Sequence, residues 1–326
     1  MNRYVILLFC PVFLLADKVF LTHFHHDISP PWSTGPLLAP SGYVVPAGHA
    51  NYEPYLYVTA YTGDYDGDWH VVEADHTLWN NVFQPILQFG LTSWLDFQFS
   101  PTLFYNYTDH QAQWLLADLP VGIDIQLYKP DTALSWIPAF KLALRETFPV
   151  GKYRNRKASK QEADVSGTGS FETSIGLVIG KLFHFGGVSF LNFRLLLECT
   201  LPAPVRLRGY NTYGGGKGTD ARLFPPQNFQ FDIGMEFILT RNWVFACDLV
   251  GNYWKKTHFS GNPGLTPEGT PAALGIPNFA VQYAIAPAIE YNWSGNLGII
   301  GGGWFSVAGR NSPNFWSAVF AVNYYQ

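Results

Sequence analysis

Phe229-Gln230-Phe231-Asp232-Ile233-Gly234-Met235-Glu236-Phe237-Ile238-Leu239 is apolar at every odd position and carries Gln230, Asp232 and Glu236 at even ones. A strand sends successive side chains to opposite faces, so this stretch needs oil on one side and polar surroundings on the other. About a dozen segments repeat the pattern through nearly the whole chain, and the connections between them run short, long, short, long. That combination marks an all-β protein: a single antiparallel transmembrane β-barrel with a wet interior.

Composition agrees. Charged residues make up 13% of the 326 residues and aromatics 17%, with 26 Phe, 18 Tyr and 11 Trp. A soluble domain carries roughly twice that charge fraction. The deficit suits a surface facing outer-membrane lipid, and the aromatic excess suits interfacial girdles. A net charge of -4 gives no basic field for nucleic acid.

The start reads as a secretory signal over 1–16: a positive Met1-Asn2-Arg3, an apolar run from Tyr4, and Leu14-Leu15-Ala16 at a small-residue cleavage site. Phe9 before Cys10 excludes a lipoprotein signal, which needs a small residue there. No other run reaches the ~20 apolar residues of a spanning helix, which leaves a closed barrel as the way to cross a membrane. Residues 17–50, with Pro30, Pro31, Pro36, Pro40 and Pro46, lack periodicity. They read as an extended periplasmic segment or a tail entering the lumen. The barrel occupies 51–326.

The alternation predicts twelve strands near 52–62, 82–92, 94–107, 112–128, 134–148, 170–183, 187–200, 226–240, 242–255, 278–292, 295–307 and 314–325. Tight turns fall at Thr92-Ser93, 129–133, 184–186, Arg241 and Trp293-Ser294, and the long connections at 63–81, 149–169, 201–225 and 256–277. Short periplasmic turns and longer outer loops are the outer-membrane arrangement, and an even strand count leaves both termini in the periplasm. A soluble β-sandwich would also alternate, but this many strands exceed one sandwich. Cys199 and Cys247 fall on the apolar phase with a strand between them, roughly 10 Å apart and too far for a disulfide.

With the apolar phase toward lipid, the lumen phase supplies Asp96, Asp124, Glu172, Glu198, Asp232, Glu236, Asp248 and Glu290, against Lys141, Arg145 and Arg194. Opposed acidic and basic walls in a narrow pore would orient polar solutes. The same charges could instead pair and fill a closed lumen, as in small barrels.

Two motifs mislead. Thr22-His23-Phe24-His25-His26-Asp27 approaches a zinc-hydrolase pattern, but Ile28 stands where its last His belongs and no α/β scaffold supplies further ligands. Gly214-Gly215-Gly216-Lys217-Gly218-Thr219 lacks a Ser or Thr directly after its Lys and reads as a flexible outer loop. No Ser/His/acid set with a nucleophile elbow appears. The reading includes no catalytic residue, cofactor or metal.

Gln88-Phe89-Gly90-Leu91-Thr92-Ser93-Trp94-Leu95-Asp96-Phe97 resembles a strand–turn–strand segment of the phenol-degradation MetA-like outer-membrane proteins, with Ser93-Trp94 replacing the usual Asp-Arg. Phe148-Pro149-Val150-Gly151-Lys152-Tyr153, followed by Gly167-Thr168-Gly169, resembles that family's Pro- and Gly-containing outer loop. The resemblance implies a barrel that carries small hydrophobic or aromatic compounds across the outer membrane.

The expected function is therefore a porin-like channel or facilitator for small solutes in the outer membrane of a Gram-negative bacterium. The chain would be inserted by the barrel-assembly machinery, although Gln326 stands where such a chain usually ends in an aromatic. The alternative is a sealed barrel used for surface recognition or adhesion through loops bearing Tyr210, Tyr213 and Lys217. A membrane-embedded hydrolase is a weaker third.

Overall fold

A computed structural model describes residues 32–326 except 110, 158–159, 161–162 and 187–188. The signal and the His-rich motif lie outside the described residues. Seventeen strands follow in chain order: β1 (Ala50–Tyr65), β2 (Val71–Gly90), β3 (Leu95–Phe99), β4 (Leu103–Thr108), β5 (Gln111–Leu116), β6 (Leu119–Tyr128), β7 (Ala139–Phe148), β8 (Glu172–Gly186) and β9 (Ser189–Pro202), then β10 (Val205–Arg208), β11 (Asp220–Phe224), β12 (Asn228–Ile238), β13 (Trp243–Trp254), β14 (His258–Asn262), β15 (Ala280–Asn292), β16 (Leu297–Arg310) and β17 (Ser312–Tyr325).

β3 and β4 both pair with β2 in one register, so they form a single wall strand broken at residues 100–102; β5 and β6 form another, broken at 117–118. Counted this way the wall has twelve antiparallel strands, each paired with its chain neighbours. β1 pairs with both β2 and β17, which closes the barrel. Ala50 N–H donates to Gln326 O at 3.0 Å and Gln326 N–H to Ala50 O at 2.9 Å at the seal.

One register row shows which way the wall faces. Ile179, Leu195, Ile233, Leu249, Ile285 and Phe305 are successive cross-strand partners from β8 to β16. These six apolar side chains form a continuous belt on the outside. Trp94, Trp243 and Trp293 stand exposed at the short turns, and Trp114, Tyr253, Phe279 and Tyr283 at the opposite rim. Aromatics bracketing an apolar band are what a membrane-spanning barrel of the outer-membrane type presents to lipid. Leu195→Arg or Ile285→Arg should impair assembly, because arginine on the lipid face at the midplane costs about 2–4 kcal/mol. Substitutions at Arg194 or Glu290, on the opposite phase, should leave heat-modifiable gel mobility intact.

Three expectations need correction. The connection expected over 63–81 is mostly strand: β1 and β2 continue past the barrel rim and turn at 66–70. There the His70 and Asp68 backbone N–H groups donate to Asp66 and hold its carboxyl below the usual carboxylate range. The turn expected over 129–133 extends to 138, because Pro138 comes just before the first paired residue of β7, Ala139. The loop around Gly214 is built rather than flexible: Thr219 is 4% exposed, Gly216 N–H donates to its Oγ1 at 2.8 Å, and Oγ1 donates to Pro263 O at 2.8 Å. That loop belongs to a three-stranded sheet, β10–β11–β14, made from the long connections on either side of the β12–β13 hairpin. Val205, Leu207, Ala221, Leu223 and Leu274 form its small core.

Candidate functional site

The bore is divided by the chain's own N-terminal segment. Residues 32–49 run through the lumen before β1, and their path follows one register row on the inner wall. Gly180, Arg194, Gly234, Asp248 and Ala286 are successive partners from β8 to β15, on the phase opposite the lipid belt. A Cβ on Gly180 would lie 3.1 Å from Gly42 Cα, and one on Gly234 would lie 2.6 Å from Ala39 Cβ. Bare backbone is thus needed at both places for the segment to lie flat against the wall. Leu37, 2% exposed, inserts among Tyr55, Ala246, Ala286, Ala288, Ile300, Val319 and Ala321. The lumen therefore contains an apolar socket at this height.

A segment without secondary structure in a bore must find partners for its backbone N–H groups. The acids of the lumen phase supply them. Thr34 N–H donates to Glu290 at 2.5 Å, Ala39 N–H to Asp248 at 3.0 Å and Val45 N–H to Asp96 at 2.8 Å; Ser33 Oγ also donates to Glu236. On the acceptor side, Gln126 donates to Gly42 O at 3.0 Å and Arg194 to Ala39 O at 3.4 Å. Arg241 stacks over Trp32 at 4.2 Å.

The structure therefore distributes the eleven sequence-selected residues among several jobs. Asp96, Glu236, Asp248, Glu290 and Arg194 hold the segment. Asp124 sits between Lys141 at 2.6 Å and Arg145 at 2.5 Å, with Asp124 fully buried and Lys141 1% exposed. Arg194 also bridges to Glu236 at 3.1 Å. Asp232 lies beside Asp248 on the next strand. Glu198 and Glu172 line cavities. Removing Asp124 would leave Lys141 as a buried charge without its closest partner. Asp124→Leu is expected to destabilise the barrel by roughly 3–5 kcal/mol, measurable as a lower urea midpoint.

Two cavities flank the segment. One of about 520 Å³ runs beside it to the short-turn end, lined by Asn51, Glu53, Gln88, Gln98, Arg145 and Asn323 among others. The second, about 640 Å³, occupies the long-loop half, with Tyr57, Tyr61, Phe104 and Trp304 beside Asn80, Asp118 and Glu172. Tyr57 and Gln84 line both, so these side chains stand between the two spaces.

The roof of the outer cavity involves a residue that sequence reading missed. Asp118, at the break between β5 and β6, accepts from Gly151 N–H at 2.8 Å and from Thr168 N–H at 2.7 Å. These donors belong to the Gly151 and Gly167-Thr168-Gly169 motifs, which the fold brings together: a Cβ on Gly167 would sit 2.8 Å from Gly151 Cα. Asn106 Nδ2 donates to Val165 O at 2.7 Å and fixes the same loop from β4. The loop thus folds inward over the bore. Among the described residues, no group of three or more His, Cys, Asp or Glu side chains is placed to hold a metal ion.

No protein-family model matches the sequence, and no curated protein shows significant sequence similarity to it. Solved structures do match in fold. The chain is similar to the COG4313 outer membrane channel from Pseudomonas putida F1, with a TM-score of 0.67 and 13% identity over 88% of this chain and 98% of that one. Looser likenesses include the NanC porin, at a TM-score of 0.44 and 9% identity over 83% of this chain and 98% of that chain. The deltaS2S3 mutant of the TodX monoaromatic hydrocarbon channel also has a TM-score of 0.44, with 10% identity over 86% and 91%. The first shows the twelve-stranded outer-membrane barrel fold; the others carry no argument at that score.

Proposed function

We propose that this protein is a bacterial outer-membrane channel through which small solutes pass without covalent chemistry. The observation that carries the reading is the boundary between the two cavities, which have Tyr57 and Gln84 as shared lining. Through it, a solute entering under the inward-folded loop meets an aromatic-lined chamber and then a polar crevice beside the N-terminal segment. The crevice walls offer amide and charged side chains in place of a lost hydration shell, as selective pores do. The resemblance to the MetA-like proteins and the rings of Tyr57, Tyr61, Phe104 and Trp304 favour small hydrophobic or aromatic compounds among the solutes of the outer chamber.

Single-channel recording in planar bilayers tests the reading. Discrete, small conductance steps are expected from heat-modifiable, folded protein, and complete silence would overturn it. A second reading, surface recognition by a sealed barrel, draws on the β10–β11–β14 sheet and its loops, where Phe224, Phe259 and Leu265 are exposed. Silence in the bilayer together with saturable binding to a surface partner would favour it.

A further inference from the structure

The lipid-facing wall has a hollow in its outer half. Two register rows lie between the apolar belt and the long loops. The nearer runs through Leu197, Phe231, Gly251 and Tyr283 on β9, β12, β13 and β15; the farther runs through Ile175, Cys199, Phe229, Tyr253 and Val281 from β8 to β15. Each row has one small member, Gly251 in the first and Cys199 in the second. The Phe231 ring lies flat across Gly251, where an added Cβ would collide with its Cε1. No side chain stands up from the wall at these two places, and a groove of about 500 Å³ is left. Ile175, Leu197, Phe229, Tyr253 and Tyr283, all exposed, form its sides. One side is buttressed: Trp69, at the tip of the β1–β2 hairpin, stacks on Tyr283 at 6.4 Å, and Asn311 N–H donates to Asp66 O at 3.1 Å in the same tip.

Cations stand at the loop end of this groove. Lys255 continues the phase of Tyr253, and its Nζ lies 5.3 Å from the centroid of the Phe229 ring. The same Nζ donates to Gln227 Oε1 at 2.8 Å. Lys256 follows, and both lysines are exposed. Neither has a carboxylate within ion-pair distance among the described residues. A lysine whose stem lies along an aromatic surface keeps its charged head in the interface, just beyond the hydrocarbon, where lipid headgroups sit. The groove is not itself a source of affinity, because the surrounding tails are as apolar as its walls. It offers close packing to one chain, and the ammonium groups select what that chain is attached to. A phosphomonoester carries about 1.5 to 2 negative charges near pH 7 and a phosphodiester a single one, so two adjacent unpaired lysines suit the monoester.

We propose that the groove and the Lys255–Lys256 pair form a binding site for a phosphorylated, acylated glycolipid of the outer leaflet, the lipid A of lipopolysaccharide. One acyl chain lies in the groove and a sugar phosphate meets the lysines. The order of groups along the wall matches that of the lipid: an apolar floor at Gly251 and Cys199, then the rings of Phe229 and Tyr253 at the rim, then the ammonium groups. The site is on the outside of the wall and does not depend on whether the bore conducts.

The test uses the full chain, folded in detergent and stripped of lipid, and native mass spectrometry with added probes: bis-phosphorylated lipid A, the same lipid with its phosphates removed, and phosphatidylglycerol. Retention of a single lipid A per chain is expected, with the other two probes held more weakly. Lys255→Gln/Lys256→Gln should weaken lipid A binding roughly tenfold, the scale of two interfacial lysines, and leave the dephosphorylated lipid unaffected. Cys199→Phe raises a ring from the groove floor and should weaken lipid A binding with both lysines intact. Arg208→Gln removes an exposed charge from the outer sheet, away from the groove, and should leave binding at the wild-type level. Heat-modifiable gel mobility verifies that each variant is folded. Equal retention of the three probes overturns the site, as does unaltered lipid A affinity in either the folded lysine variant or folded Cys199→Phe. A loss in Arg208→Gln as large as in the lysine variant also overturns it, by showing attraction to charge at large. A lipid-free dimer that Cys199→Phe dissociates and lipid A does not would give the groove to a second copy of the chain and overturn the lipid site as well.

Discussion

Deleting residues 32–45 should raise single-channel conductance several-fold while the barrel still assembles. Assembly is expected because closure depends on β1 and β17, which begin to pair only at Asn51. The belt from Ile179 to Phe305 contains none of the deleted residues. Conductance should rise because the segment crosses the bore at the row from Gly180 to Ala286, where Leu37 is buried and Gly42 and Ala39 lie against wall glycines. Removing it merges the space it fills with the crevice beside it. Gly180→Leu provides a gentler version. Its side chain would project to within contact of Gly42, so the segment must lift from β8 while every one of its residues remains. Larger, noisier steps are expected from Gly180→Leu and large steady ones from the deletion. Deletion that leaves conductance unchanged in folded protein would show that ions already take a route the segment does not narrow.

The barrel is legible in the sequence because lipid outside and polarity inside impose a period of two on every wall strand, from Tyr52 to Tyr324. Even the orientation of Leu195 against Arg194 can be read from phase alone. The segment's place in the bore is one of two open readings, since residues 32–49 follow no period; what they bind is spread over β3, β6, β9, β12, β13 and β15. Phase finds the eight lumen acids but not their work. It says that Asp248 faces inward and says nothing about the Ala39 N–H that meets it there. Asp118 escapes notice because it sits at a strand break, where alternation lapses. The outer sheet is missed because its strands, of four or five residues, are too short to show a period between glycines and prolines.

Ion selectivity should follow the charges that remain after pairing. Of the eight acids, Asp124 and Glu236 form ion pairs that engage Lys141, Arg145 and Arg194. The other six have no basic partner within ion-pair distance among the described residues, and Glu53 adds a further carboxylate on the crevice wall. Reversal potentials under a salt gradient should therefore show a cation preference. Asp232→Asn/Glu236→Gln/Asp248→Asn should weaken it, since these side chains lie on the paired strands β12 and β13, within a screening length of ~10 Å at 0.1 M salt. The variant also frees the Arg194 charge from Glu236, which pushes selectivity the same way. The segment should stay in place, because each substitution leaves a side-chain carbonyl where the carboxylate stood. The amide introduced at position 248 can still accept from Ala39 N–H, and the one at position 236 can still accept from Ser33. Step size is the internal control. A reversal potential that moves while conductance holds assigns the effect to charge, and one that moves only with a large rise in conductance assigns it to release of the segment. Anion preference in the wild type, or a triple variant with an unaltered reversal potential, would mean that these carboxylates serve the segment's backbone and do not set the permeation field.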